Sequence, residues 1–226
     1  MSNPIELIIV LAVLVVAIAI HECSHALVAR LLGDHTAERM GRLTLNPLRH
    51  LDPMGSMMIL ISALSGFGIG WGKPTPVNPW NLRPRGRTGM ALVAAGGPLS
   101  NFILAALLTG VLRLMPFLVG SLGLPLGIAS VVWQVASIAA AVNLGLTAFN
   151  LLPLPMLDGF HIVMGLIASI KARWAYNLSE SLARVEPHGP MILLVLILAG
   201  SFLRPSPISL MLVPIRAVLL RILGLG

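Results

Sequence analysis

Three ionisable side chains in residues 21–25 have the spacing of a metal-binding helix. His21 and His25 are four residues apart, so on a helix both imidazoles project from one face and can share a metal ion. Glu22 would lie beside that metal. Imidazole nitrogens suit zinc, and a neighbouring carboxylate can take a proton from a water that zinc polarises. The H-E-x-x-H pattern therefore predicts a hydrolytic zinc site with Glu22 as its general base.

A catalytic zinc ion usually has a third protein ligand, and Asp158 is the best residue for that role. Outside the motif, Asp158 is the acidic residue that ends a long charge-free stretch, whereas the others lie at the N-terminus or in charged, loop-like segments. Pro153 and Pro155 precede it and would break a helix, which frees backbone groups to face a cavity. The one cysteine, Cys23, excludes an internal disulfide and a site of several cysteines.

The elements that must position these residues are membrane helices. Of the 226 residues, 57% are hydrophobic and 10% are charged, whereas soluble domains have roughly 45–50% and 25%. Charge-free stretches alternate with short basic clusters, as expected for helices of about 20 residues that cross a bilayer. We therefore expect an all-α polytopic membrane protein. Residues 1–226 would form a single integral membrane domain, with a core over 5–165 and accessory helices over 188–226.

The net charge of +7 arises from basic clusters at the ends of apolar stretches. Such clusters set topology by the positive-inside rule and contact lipid headgroups, so the lipid bilayer is one expected partner. No basic motif with interleaved aromatic residues occurs, and we expect no nucleic-acid partner. Lys and Arg are absent before the first apolar run, which places the N-terminus outside. This predicts a multi-pass protein of the cell membrane, with its site below the surface on the cytosolic side.

Residues 54–72 form an apolar, glycine-rich run with basic clusters at both ends. A re-entrant segment that enters and leaves on one face explains this charge pattern best, and a short spanning helix is the alternative. The segment 41–60 begins before this run and overlaps its start, and it alternates apolar with polar side chains over Leu43–Leu45. We expect a membrane-inserted β-hairpin or loop there that pairs with an unwound substrate by strand addition. A surface loop that only joins two spans is the alternative.

Two separated motifs resemble those of the site-2 protease family of intramembrane zinc metalloproteases. They are the histidine motif and N-x-x-P-x-P-x-L-D-G over 150–159. The stretches GGPLSN (96–101) and GWGKPTPVN (70–78) are similar to compact bacterial and archaeal members without a PDZ or CBS domain. The resemblance implies a three-helix catalytic core and one zinc ion per chain, held by two histidines and one aspartate. It also implies regulated cleavage of the transmembrane segment of a partner protein.

Asn150 and His161 have open roles at this stage. The family pattern suggests that Asn150 bonds to the substrate backbone or to the developing oxyanion, and a helix-capping amide is the alternative. His161 is a partner of Asp158, another metal ligand or an interfacial histidine. His50 lies in a polar segment and is expected at the surface.

The alternative function is a membrane metal-ion transporter, because intramembrane His and Asp side chains also line cation pathways. Transport needs ligands alone, whereas hydrolysis needs a base beside the attacking water. Glu22 supplies that base, and the sequence shows none of the internal pseudo-symmetry that is frequent in transporters. The sequence therefore favours an intramembrane zinc endopeptidase.

Overall fold

The structure is a computed structural model that describes residues 4–55, 57 and 72–225. Within these ranges the chain is helical, and the one β-type pairing is an isolated antiparallel bridge between Leu51 and Gly72. Four helical stretches in the described residues are long and apolar enough to cross a bilayer, namely Pro4–Leu31, Arg87–Gly120, Leu126–Asn150 and Arg173–Phe202. The predicted all-α polytopic fold is confirmed.

Eight α-helices with defined bounds occur in the described part of the chain, together with two short 3-10 helices. They are α1 (Pro4–Leu31), α2 (Thr36–Arg39), a 3-10 helix (Pro47–Arg49), α3 (Arg87–Gly120), α4 (Leu126–Asn150), α5 (Asp158–Ser169), α6 (Arg173–Val185), a 3-10 helix (Glu186–His188), α7 (Gly189–Phe202) and α8 (Pro207–Ile222).

Helices α1, α3 and α4 form the core, because each of them contacts the other two, and α5 packs against α3. Small residues bring α1 and α3 close together. A Cβ added at Gly96 would lie 2.9 Å from Cγ2 of Val28 and 3.2 Å from the carbonyl oxygen of Ser24. Close backbone approach at small residues is a common basis of helix packing in membranes. The two helices that carry most of the candidate site are therefore held at short range.

The C-terminal helices cover the outside of this core. Helix α8 packs against α4 and α7, and Arg113 of α3 donates hydrogen bonds to the carbonyl oxygens of Leu223 and Gly224 just after α8 ends. Helix α6 packs against α5, and Arg87 at the start of α3 donates to Glu180 of α6 at 2.9 Å. These contacts fix both ends of α3.

The loop after α2 differs from one expectation. His50 is fully buried, because its Nε2–H donates to the carbonyl oxygen of Thr44 at 2.7 Å and the loop packs on α1. The prediction of a surface histidine was wrong. Residues 41–55 of the predicted hairpin hold a 3-10 helix and no strand. The rest of that hairpin, and most of the predicted re-entrant run over 54–72, lie outside the described residues.

Candidate active site

The structure brings His21, His25 and Asp158 together. Both histidines are buried on α1, and Asp158 is the first residue of α5. Nε2 of His21 lies 3.1 Å from Oδ2 of Asp158, and Nε2 of His25 lies 3.3 Å from Oδ1. One ligand atom from each residue falls within 4.8 Å of the others. The two histidines thus converge on one carboxylate, although Asp158 follows them by 133 or more positions in the sequence.

A tight turn between α4 and α5 places Asp158 opposite the histidines. Helix α4 ends at Asn150, and the buried side chains of Leu152, Leu154 and Leu157 pack against residues of α7 and α8. Met156 adopts a positive φ of 79°, a strained conformation for a non-glycine residue. Gly159 permits the close approach, since an added Cβ would lie 2.4 Å from the carbonyl oxygens of Leu151 and Leu152. Burial of the leucines therefore anchors the turn that presents the aspartate.

The donor set fits a zinc ion. Nδ1 of His25 lies 2.8 Å from the carbonyl oxygen of Val93, so Nδ1–H donates and the Nε2 lone pair faces the aspartate. In the described part of the chain, the buried Oδ2 of Asp158 accepts no well-formed hydrogen bond. Ligand atoms of a tetrahedral zinc site lie about 3.3 Å apart, given bonds of about 2.0–2.1 Å. The two Nε2–carboxylate distances of 3.1 and 3.3 Å match that spacing.

Gly97 of α3 forms the floor beneath the two histidines of this cluster. A Cβ at Gly97 would lie 2.4 Å from Nε2 of His25 and 2.5 Å from both Nε2 and Cε1 of His21. Real Cβ atoms essentially never approach other heavy atoms this closely. The two imidazoles can therefore take their positions beside α3 because residue 97 has no side chain.

Glu22 lies beside the histidines and is held by Thr75. The backbone N–H of Thr75 donates to Oε2 of Glu22 at 2.9 Å, and its hydroxyl lies 2.8 Å from the same oxygen. The hydroxyl is also 3.0 Å from the backbone carbonyl oxygen of Glu22. The carboxylate is thus oriented by the segment that precedes α3.

Asp34 fastens that segment to the end of α1. The carboxylate is fully buried and accepts hydrogen bonds from Thr36, from the backbone N–H of Asn78 at 2.7 Å and from Nδ2 of Asn81 at 3.1 Å. Burial alone would raise the pKa of Asp34, but the hydrogen bonds from Thr36, Asn78 and Asn81 outweigh it and hold that pKa below its usual value. Asp34 is therefore charged at neutral pH and ties residues 78–81 to α1.

A cavity of about 330 Å³ opens at these residues. Asn150 and His161 line it, but neither belongs to the cluster of ligand atoms. Nδ2 of Asn150 donates to the carbonyl oxygen of Leu146 at 3.0 Å, which leaves its second N–H for another acceptor. Nε2 of His161 lies 4.0 Å from Oε1 of Glu186. The remaining wall is mainly apolar and includes Ile18, Met90, Val93, Ala94, Leu146, Phe149, Met156, Leu157 and Leu193.

Sequence reasoning missed the roles of Gly97 and Thr75. Both lie in stretches that the resemblance singled out, but no chemistry was assigned to them. The available signal for Gly97 was a Gly-Gly-Pro triplet inside an apolar helix, where glycine is unfavourable without a packing reason. The signal for Thr75 was its position between Pro74 and Pro76, which makes it the one amide donor of that triplet.

Known relatives carry the name "Putative zinc metalloprotease". YwhC of Bacillus subtilis strain 168 is 37% identical over 81% of this chain and 77% of its own length. Rip2 of Mycobacterium tuberculosis strain H37Rv is 33% identical over 85% of this chain and 67% of its own length. Rip2 of Mycolicibacterium smegmatis is 30% identical over 87% of this chain and 69% of its own. No solved structure matches the chain significantly.

The family model described as peptidase family M50 matches residues 9–196. That range contains the histidine motif, the segment that holds Glu22, the glycine of the site floor and the turn that presents Asp158. The names of the relatives also imply zinc, which agrees with the donor set described above. The chain therefore belongs to peptidase family M50, the site-2 protease family of membrane metalloproteases.

Proposed function

We propose that this chain is an intramembrane zinc endopeptidase that hydrolyses a peptide bond within or next to a transmembrane segment of another membrane protein. The observation that carries the proposal is the convergence of His21, His25 and Asp158 beside Glu22 within an apolar helix bundle. Ionisable groups at membrane depth are expensive and point to function. Membership of the M50 family supports proteolysis as that function.

The depth of the site supports cleavage inside the membrane. His25 and His21 lie six and ten residues before the end of α1 at Leu31, which corresponds to about 9 and 15 Å along the helix. Arg30 and the basic residues that follow favour the cytosol for this end of the helix. The active site would therefore open below the cytosolic surface of the cell membrane.

The residues divide the reaction between them. His21, His25 and Asp158 would hold one zinc ion, which supplies Lewis acidity and polarises a water and the scissile carbonyl. Glu22 accepts the proton of the attacking water and returns it to the nitrogen of the leaving amine as the peptide bond breaks. Asn150 can donate its second side-chain N–H to the oxygen that gains charge.

A helical substrate must unwind before its peptide bond can be attacked, because helical peptide groups are shielded and hydrogen-bonded. Residues 73–78 have no regular secondary structure and contact Glu22 through Thr75, and Pro74, Thr75 and Val77 line the cavity. The backbone N–H and C=O of Val77 form no hydrogen bond in the described part of the chain. Strand addition to this segment would satisfy polar groups of the unwound substrate. The partner is therefore a membrane protein whose span can be unwound locally.

Cleavage by the purified enzyme in lipid vesicles tests the proposal. The probe is a single-span peptide of about 20 Leu and Ala residues with a central Asn-Pro pair. We expect products that mass spectrometry places within or next to the span, loss of cleavage on zinc chelation, and recovery when zinc is returned.

Zinc flux into the same vesicles tests the alternative function. Zinc uptake that depends on His21 and Asp158, without any cleavage of peptide, would contradict the protease and favour the transporter. Chelation-resistant cleavage would contradict the zinc mechanism.

A further inference from the structure

Residues 73–78 are held at both ends by backbone N–H groups that donate to residues outside the segment. The N–H of Lys73 donates to the carbonyl oxygen of His50 at 2.7 Å, and the N–H of Asn78 donates to Oδ2 of Asp34 at 2.7 Å. Further along, the N–H of Arg83 donates to the carbonyl oxygen of Leu32 at 2.8 Å. The segment therefore has anchors on both sides of Thr75, in addition to the contact between the Thr75 hydroxyl and the backbone carbonyl oxygen of Glu22.

Thr75 lies between these anchors and directs two donors at one oxygen. Pro74 and Pro76 have no N–H, so Thr75 contributes the one backbone donor of the triplet, and that donor points to Oε2 of Glu22 at 2.9 Å. The hydroxyl lies 2.8 Å from the same Oε2 and 3.0 Å from the backbone carbonyl oxygen of Glu22, so these two acceptors share its one proton. Prolines on both sides restrict the backbone, which keeps the two donors aligned.

The other carboxylate oxygen has a different environment. Oε1 of Glu22 accepts no hydrogen bond from any described residue, and it faces the backbone at Gly72, where an added Cβ would lie 3.7 Å away. The χ3 torsion of glutamate has a broad energy profile, so an unheld carboxylate samples many orientations. Two donors on Oε2 fix its plane and leave Oε1 as the oxygen with a free lone pair.

We propose that Thr75 is the positioning residue of Glu22: it occupies Oε2 and presents Oε1 to the water whose proton Glu22 removes. This role rests on the proposed function of Glu22 as general base. Removing the hydroxyl deletes a hydrogen bond to a charged group while the backbone donor and both anchors remain. The loss therefore affects the chemical step rather than zinc binding or the position of the segment.

The kinetic test compares Thr75→Val, which has nearly the same shape without the hydroxyl, with Thr75→Ser, which retains it. With the Asn-Pro peptide in vesicles, Thr75→Val should lower kcat by about 10- to 100-fold, with KM within about twofold of wild type. Zinc content should not change. Thr75→Ser should recover most of kcat. Thr109→Val is the matched control, because that hydroxyl donates within α3 to Ala105 at 2.8 Å.

A second test needs neither substrate nor metal. Because Pro74 and Pro76 lack amides, hydrogen exchange of this triplet in the metal-free protein reports the Thr75 amide alone. In Glu22→Ala that amide should exchange at least about tenfold faster, since its acceptor is gone. The amide of Lys73, bonded to His50, should keep its rate.

The proposal is overturned if Thr75→Val keeps the wild-type kcat, if Thr75→Ser is as slow as Thr75→Val, or if the Thr75 amide exchanges equally fast in Glu22→Ala. Glu22→Gln separates this failure from failure of the proposed function. An inactive Glu22→Gln with a fully active Thr75→Val would reject the positioning role alone. An active Glu22→Gln would reject Glu22 as the base.

Discussion

Gly97→Ala should empty the metal site while the fold persists. The new Cβ would lie 2.4 Å from Nε2 of His25 and 2.5 Å from Nε2 of His21. Restoring ordinary van der Waals separation needs a displacement of about 1 Å. Metal–ligand distances tolerate deviations of only about 0.2 Å. Substitution of residues that only support the metal ligands typically lowers metal affinity by about 10- to 100-fold. Gly97→Ala would displace two ligands directly, so zinc affinity should fall by more than about 100-fold.

The assay is competition for zinc between the purified protein and a chelator of known affinity, with a thermal melt to check folding. Gly110→Ala on the same helix is the matched control, because its Cβ meets no atom within 4 Å. That variant should bind zinc normally and gain roughly 0.5–1 kcal/mol of stability, since alanine favours a helix more than glycine does. If Gly97→Ala binds zinc with wild-type affinity, the described packing of α3 against the histidines is incorrect.

Three further predictions concern the loop, the topology and the substrate. Asp34→Asn should cost about 1–3 kcal/mol at neutral pH. The pKa of Asp34 is lowered in the fold, so the ionised carboxylate stabilises the protein above about pH 4 and this stabilisation is lost as the pH falls through the lowered pKa. The melting temperature of Asp34→Asn should therefore depend less on pH in that acid range than the melting temperature of the wild type. An acid profile equal to that of the wild type would contradict the role of Asp34. In a Cys23→Ala background, an impermeant thiol reagent applied outside intact cells should label Ser121→Cys and not Thr36→Cys; the reverse result would invert the topology. A uniform Leu-Ala span should be cut at least about tenfold more slowly than the Asn-Pro peptide, because unwinding exposes peptide groups in lipid; equal rates would remove the unwinding requirement.

The membrane class and the residues that converge at the site could be predicted from sequence, because each follows from a local rule. The spacing of His21 and His25 sets one face of one helix. Asp158 could be selected because few acidic residues follow apolar stretches, and the prolines before it correctly predicted the end of α4 near Asn150. Burial of Leu152, Leu154 and Leu157 then fixes where the aspartate faces, and that depends on helices far along the chain.

The contacts that sequence reasoning did not provide are those between distant segments. Gly97 faces the histidines because of how α3 crosses α1, and Thr75 reaches Glu22 over 53 residues. Composition alone also misplaced His50, since a polar segment can fold over its own histidine when a carbonyl oxygen such as that of Thr44 accepts a hydrogen bond from one ring nitrogen. Local polarity predicts exposure on average, whereas long-range packing decides it for one residue.

The proposed mechanism assigns metal binding and proton transfer to different residues of one site. The most direct measurement is zinc content and peptide cleavage, on the same preparations of wild type, Glu22→Gln and Asp158→Ala. We predict about one zinc per chain and no cleavage for Glu22→Gln, and loss of both for Asp158→Ala. Cleavage by Glu22→Gln at the wild-type rate, or full zinc in an active Asp158→Ala protein, would contradict this division of roles.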